Sequence, residues 1–201
     1  MTIKAVIFDL AGVVLLTVKG TFNSLLAERL GARIEDVARV MNDAVNDQWD
    51  RGEIGDDEFF THLLTELRQP LEKKSILADF VLNDFYIDRE MLDFIHSINK
   101  THQTALLTNF PAHVHEFMRV KWHTEGVFDH VIASCDVKLL KPDPRIYQFT
   151  LDQLGCQPRE TIFVDDREVN VRAAEAMGIH SVHFQNRDQG MGEIKALLKT
   201  L

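Results

Sequence analysis

Short apolar runs recur along the chain, and most of them stop at a polar residue. Residues 3–8 end at Asp9, and residues 104–107, 131–133, 161–164 and 181–184 repeat the pattern. These runs are too short for helices and rich in β-branched side chains, which predicts buried strands. Between them apolar positions return at helical spacing. Residues 88–100 place Met91, Leu92, Ile95 and Ile98 on one face, and residues 114–122, 144–154, 169–177 and 192–198 read as further helices. Gly155 and Gly178 stand where helices should stop. Strands alternating with helices predict a parallel sheet covered on both sides, an α/β unit of three layers.

Residues 21–82 break the alternation. Phe22, Leu25, Leu26 and Leu30 share one helical face; Val37, Val40, Met41, Ala44 and Val45 share another. Residues 56–67 add Phe59, Phe60, Leu63 and Leu64. No strand pattern intervenes. The expected organisation is an α/β unit made of residues 1–15 and 88–201, with a helical bundle, residues 16–87, inserted after the first strand.

Composition narrows the function without naming it. The chain of 201 residues is 45% hydrophobic and 26% charged, with a net charge of −9. That is ordinary globular composition. The acidic balance argues against nucleic acid and anionic membranes, both of which call for basic surface. No stretch reaches the roughly 20 apolar residues of a membrane span. Asp9 interrupts the first apolar run, which therefore does not read as a signal core. Two cysteines, Cys135 and Cys156, make neither a disulfide framework nor a zinc site. These features predict a cytoplasmic protein.

In parallel sheets, ligands bind beyond the carboxyl ends of the strands. Asp9 follows the first run, Thr108 and Asn109 the second, Lys141-Pro142 the loop after the third, and Asp165-Asp166 the fourth. Each alone is an ordinary turn former, helix cap or solvated side chain. Together they place carboxylates, a hydroxyl and an ammonium on one rim. Converging carboxylates repel unless a cation joins them. Mg²⁺ suits that place, since it takes few carboxylates together with phosphate oxygens. Thr108 and Asn109 can hold phosphate oxygens, and Lys141 can neutralise both carboxylate and phosphoryl group, which is equipment for phosphoryl transfer.

The stretches Phe8-Asp9-Leu10-Ala11-Gly12-Val13-Val14, Leu107-Thr108-Asn109, Lys141-Pro142 and Val164-Asp165-Asp166 resemble, in order and spacing, the four motifs of the haloacid dehalogenase-like hydrolases. The branch that looks most similar contains sugar-1-phosphate phosphatases and the phosphatase domain of soluble epoxide hydrolase. The resemblance implies a Rossmann-like core with a helical cap, acting on a small phosphorylated metabolite. It implies Asp9 as nucleophile, oriented by Lys141, with phosphate held by Thr108 and the Asn109 amide. Mg²⁺ would be held by Asp9, the carbonyl of Ala11 and Asp166, with Asp165 and Asn170 acting close behind.

One position departs from the pattern. Phosphatases of this kind carry a second Asp two residues after the nucleophile, where this chain has Ala11. The resemblance thus leaves a catalytically weak, ligand-binding relative as an alternative. A metal-independent haloacid dehalogenase is a further one, although it has no use for Asp166. Within the insert, Gln48-Trp49-Asp50-Arg51-Gly52-Glu53 is a polar, aromatic run. There Trp49 can stack on a sugar ring and Arg51 can bind a second anion. The same residues also read as a helix end with a buried Trp and a surface ion pair. His113 with His115, and His180 with His183, are spaced wrongly to share a metal.

Overall fold

The computed structural model describes residues 2–200. Strand β1 (Ala5–Phe8) leads to a short β2 (Leu15–Thr17). Five helices follow: α1 (Phe22–Leu30), α2 (Ile34–Val40), α3 (Ala44–Asp50), α4 (Asp56–Glu66) and α5 (Lys74–Asn83). The chain returns through β3 (Phe85–Ile87) to α6 (Arg89–Asn99) and β4 (Gln103–Thr108). Helix α7 (Val114–Glu116) runs into a π-helical turn, Phe117–Lys121. Then come β5 (His130–Ala133), α8 (Ser134–Val137), α9 (Pro144–Leu154), β6 (Thr161–Asp165), α10 (Glu168–Ala176), β7 (His180–His183) and α11 (Arg187–Thr200).

Five strands form a parallel sheet in the order β5-β4-β1-β6-β7. Strand β1 is central and buried throughout. Its side chains alternate between faces, as strand geometry requires. Val6 and Phe8 join Met91, Ile95 and Ile98 of α6 and Ile194 of α11. Ala5 and Ile7 join Ile146, Tyr147 and Leu151 of α9 and Ala174 of α10. The three-layer α/β fold expected from the pattern is the fold found. The last helix, α11, begins at Arg187, earlier than the periodicity indicated. The helix expected over residues 114–122 is a single turn passing into the π-helical one, where the Trp122 amide donates to the Phe117 carbonyl at 2.7 Å. This wider turn holds Met118 and Trp122 in the core while Val120 faces outward.

The helical insert has a core of its own, built from Leu25, Leu26, Leu30, Val37, Phe59, Leu63, Leu64 and Phe80 among others. Its entry and exit are pinned by an antiparallel ribbon that the sequence pattern did not reveal, pairing Leu15 with Ile87 and Thr17 with Phe85. One step further, the Val18 amide donates to the Asp84 carbonyl at 3.0 Å.

Candidate active site

The sheet register builds the site. Phe8 pairs with Leu106 on one side and with Val164 on the other. Asp9, the next residue, therefore leaves β1 beside the ends of β4 and β6, which close on Thr108 and Asp165. Asp9, Thr108 and Asp165 are all buried.

Lys141 enters this cluster from the loop before α9. Its ammonium lies 2.7 Å from Asp9 Oδ1 and 2.7 Å from Asp165 Oδ2, and it donates to the Leu107 carbonyl at 2.9 Å. Asn109 fixes the Lys141 backbone from both sides: its Oδ1 accepts from the Lys141 amide and its Nδ2 donates to the Lys141 carbonyl, each at 2.9 Å. Burial disfavours the ammonium, but Asp9 and Asp165 outweigh it and hold Lys141 above its usual range. The expected pairing of Lys141 with Asp9 is thus present in the structure.

Asp9 Oδ1 also accepts from the Leu10 amide at 2.7 Å. Its Oδ2 has no hydrogen-bond partner among the described residues. Burial, with Asp165 and Asp166 close by, pushes the Asp9 carboxyl up to about 8 against the pull of Lys141. Asp166 is raised as well, by desolvation and then by Asp165. Oxygens of Asp9, Asp165 and Asp166 lie within 4.8 Å of one another.

Asp165 is the most enclosed of the three. Its oxygens accept from Lys141, from the Arg167 amide at 2.8 Å, and from Asn170 Nδ2 at 3.0 and 3.1 Å. The buried Tyr147 hydroxyl in turn donates to the Asn170 carbonyl at 3.0 Å. Asp165 is therefore engaged on every side, whereas Asp166 carries no side-chain hydrogen bond among the described residues. The converging oxygens of Asp9, Asp165 and Asp166 are a donor set that fits a hard cation. Gly12 keeps that place clear, because a Cβ there would lie 2.3 Å from Asp166 Oδ2.

The Thr108 hydroxyl is fully buried and has no partner among the described residues. A buried hydroxyl without a partner is unfavourable unless a ligand atom completes it.

A cavity of about 320 Å³ opens beside the cluster, between insert and core. Arg51, Asn109 and Lys141 line it together with Asn46, Asp50 and Arg167. Of these, the sequence reading assigned site roles to Arg51, Asn109 and Lys141. Arg167 carried a usable signal, since it directly follows Asp165-Asp166. Trp49 is not among the residues that line the cavity, and it is buried, as the helix-end reading of this run expected. It stacks on Phe59 with centroids 4.1 Å apart, and its indole N–H donates to Asp56 at 2.8 Å. Arg51 pairs with Glu53 at 2.8 Å. His115 pairs with Asp136, and His113 packs on Phe117.

Insert and core are joined here through main-chain atoms. Ser134 Oγ donates to the Asp50 carbonyl at 2.5 Å and accepts from the Phe110 amide at 2.9 Å. Lys138 Nζ donates to the Arg51 carbonyl at 2.7 Å and to the Gly52 carbonyl at 3.3 Å.

A parallel α/β core, a buried carboxylate paired with lysine at the central strand's end, and an acidic cluster beside it are the marks of a hydrolase. The chain belongs to the haloacid dehalogenase-like hydrolases, matching that family over residues 3–178. It is 26% identical over 198 residues to the sesquiterpene phosphatase astK of Aspergillus oryzae, covering 98% of this chain and 97% of that protein. It is 26% identical over 223 residues to bifunctional epoxide hydrolase 2 of Sus scrofa, covering 97% of this chain but 39% of that longer protein. The fold is similar to the HAD family enzyme BT-2542 of Bacteroides thetaiotaomicron, solved with magnesium and inorganic phosphate. The TM-score is 0.72 at 21% identity, covering 91% of this chain and 94% of that one. No helix among the described residues is long and apolar enough to cross a membrane.

Proposed function

We propose that this enzyme is a Mg²⁺-dependent phosphatase of small phosphate monoesters, working through a phosphorylated Asp9. The observation that carries this reading is Asp166, a carboxylate unpaired among the described residues, beside the buried Asp9. Hydrolysis of a carbon–halogen bond has no use for it, whereas a phosphate ester brings the anionic oxygens that share a cation with carboxylates. The chain's relationship to a phosphatase over nearly its whole length supports the same reading.

In this reading Lys141 holds Oδ1 and leaves Oδ2 to attack phosphorus. A bond forms from Oδ2 to phosphorus as the ester oxygen leaves, and water later attacks the aspartyl-phosphate to release inorganic phosphate and free Asp9. The Thr108 hydroxyl and the Asn109 amide bind phosphoryl oxygens. Asp9, the Ala11 carbonyl and Asp166 would hold Mg²⁺, which supplies charge neutralisation when bound. Asp165 works through Lys141.

The cavity favours a compact polar substrate, such as a sugar phosphate. Its wall offers a prenyl chain little apolar surface beyond Met41, Leu139, Leu140 and Pro142. Residues 16–87 act as a cap over a catalytic unit made of residues 1–15 and 88–201, and the enzyme works on soluble metabolites of the cytoplasm.

The test is phosphate release from sugar, aryl and prenyl phosphates, with Mg²⁺ and with chelator, for wild type and Asp9→Asn. Release that needs both metal and Asp9 is expected, with sugar phosphates preferred. Halide release from 2-haloacids that survives chelation would overturn the reading. Phosphate ligands that bind without turnover would establish the inactive relative instead.

A further inference from the structure

Ala11 leaves the reaction without a proton donor at the usual place, so the donor must come from elsewhere. We infer that Asp50, at the end of α3 in the insert, is the general acid that protonates the leaving oxygen and then the base that activates water. The inference rests on the phosphatase reading.

Three carboxylates line the cavity: Asp47, Asp50 and Asp143. Asp143 is taken, clasped by Arg145 at 2.6 and 3.0 Å and capping α9 through the Arg145 amide. Asp47 is solvent-exposed. Of the three, Asp50 alone is both shielded and free of a cation partner among the described residues. Its Oδ2 accepts only from Asn46 Nδ2 at 3.3 Å, and Oδ1 has no hydrogen-bond partner among the described residues. The cations around the cavity are occupied elsewhere: Arg51 binds Glu53, Lys138 binds main-chain carbonyls, and Arg167 reaches Asn42 at 3.4 Å.

Position is fixed as well. The Asp50 carbonyl is held by Ser134, which also binds the Phe110 amide, two residues from Thr108. Lys141 and Asn109, both bonded into the Asp9 site, form part of the wall that Asp50 shares. Beside Asp50, Asn46 Oδ1 is buried and unpartnered, a place for a donor such as a substrate hydroxyl. Burial, reinforced by Asp47 and opposed by Asn46, Arg167 and Arg51, raises Asp50 to about 7. A group titrating near neutral pH can both give and take a proton there.

The step balances. As Asp9 Oδ2 bonds to phosphorus, the P–O bond to the leaving group breaks and that oxygen takes the Asp50 proton. As water bonds to phosphorus, the bond to Asp9 breaks, and a proton from water returns to Asp50.

The experiment measures single-turnover phosphorylation by rapid quench, with Mg²⁺, of the full chain. Wild type, Asp50→Asn, Asp9→Asn and the double variant Asp50→Asn with Ala11→Asp are compared on 4-nitrophenyl phosphate and a sugar phosphate. Asp50→Asn should slow the sugar phosphate about 100-fold or more, and the nitrophenyl ester, whose leaving oxygen needs no proton, far less. Ala11→Asp should restore much of the lost rate. Equal losses on both substrates, no loss, or no rescue in a double variant with wild-type melting behaviour would overturn the role of Asp50 while the phosphatase stands. Absence of Asp9-dependent phosphorylation in wild type would overturn the phosphatase reading and this inference with it.

Discussion

Asn170 donates to both oxygens of Asp165, at 3.0 and 3.1 Å. This clasp separates two adjacent aspartates into different tasks. Asp165 is spent on Lys141 and Asn170, and Asp166 is left open. Asp166→Asn should therefore raise the Mg²⁺ concentration for half-maximal activity by about tenfold or more, in line with losses at metal-supporting residues. Asp165→Asn should instead lower turnover and melting temperature, with a smaller change in that concentration. Metal titrations of activity for the two variants decide it.

Gly12 holds φ +85° against Asp166. Gly12→Ala adds left-handed strain of about 1–2 kcal/mol and drives a methyl group onto Asp166 Oδ2. The variant should fold, yet lose most of its metal-dependent activity. A urea unfolding curve read beside a Mg²⁺ titration separates the small stability loss from the large functional one.

The pH dependence of the metal-free protein follows from Asp9. Its carboxyl is raised from the ordinary 3.8 to about 8, so between those values the folded state holds a proton that the unfolded chain has released. Stability from this source is present below about pH 4 and is lost as pH rises through 8. Thermal melts of chelated protein should fall across that window. Added Mg²⁺ should flatten the decline, because a bound cation favours the ionised carboxylate and stabilises the folded state by mass action.

Trp49→Ala removes a ring stacked on Phe59 in the insert's core. The expected cost is about 3–5 kcal/mol of stability. Trp49→Phe should keep most of the packing and lose only the bond to Asp56. At temperatures where the Phe variant is folded, its KM should stay close to wild type; a KM rise without a stability loss would return Trp49 to the substrate.

The sheet strands were legible because burial on both faces turns each into a plain apolar run, as in Val6-Ile7-Phe8. The rim residues were legible because each follows such a run. The β2–β3 ribbon was not, since three-residue strands with half-exposed positions such as Leu16 and Tyr86 carry no periodic signal. The π-helical turn escaped for a related reason: one extra residue in a turn shifts the pattern without breaking it. The choice between the two readings of Trp49 was out of reach, because its partner, Asp56, lies seven residues on, across a loop. Asp50 looked like any helix-end carboxylate until the fold set it on the wall of a cavity that Lys141 also lines.

The latch between insert and core grips the carbonyl oxygens of Asp50, Arg51 and Gly52, not their side chains. This hold is thereby indifferent to which amino acids stand at positions 50 and 51. Those two side chains can be exchanged without rebuilding this hold on the core. At these three positions the main chain carries the mechanics, and the side chains are not needed for the hold.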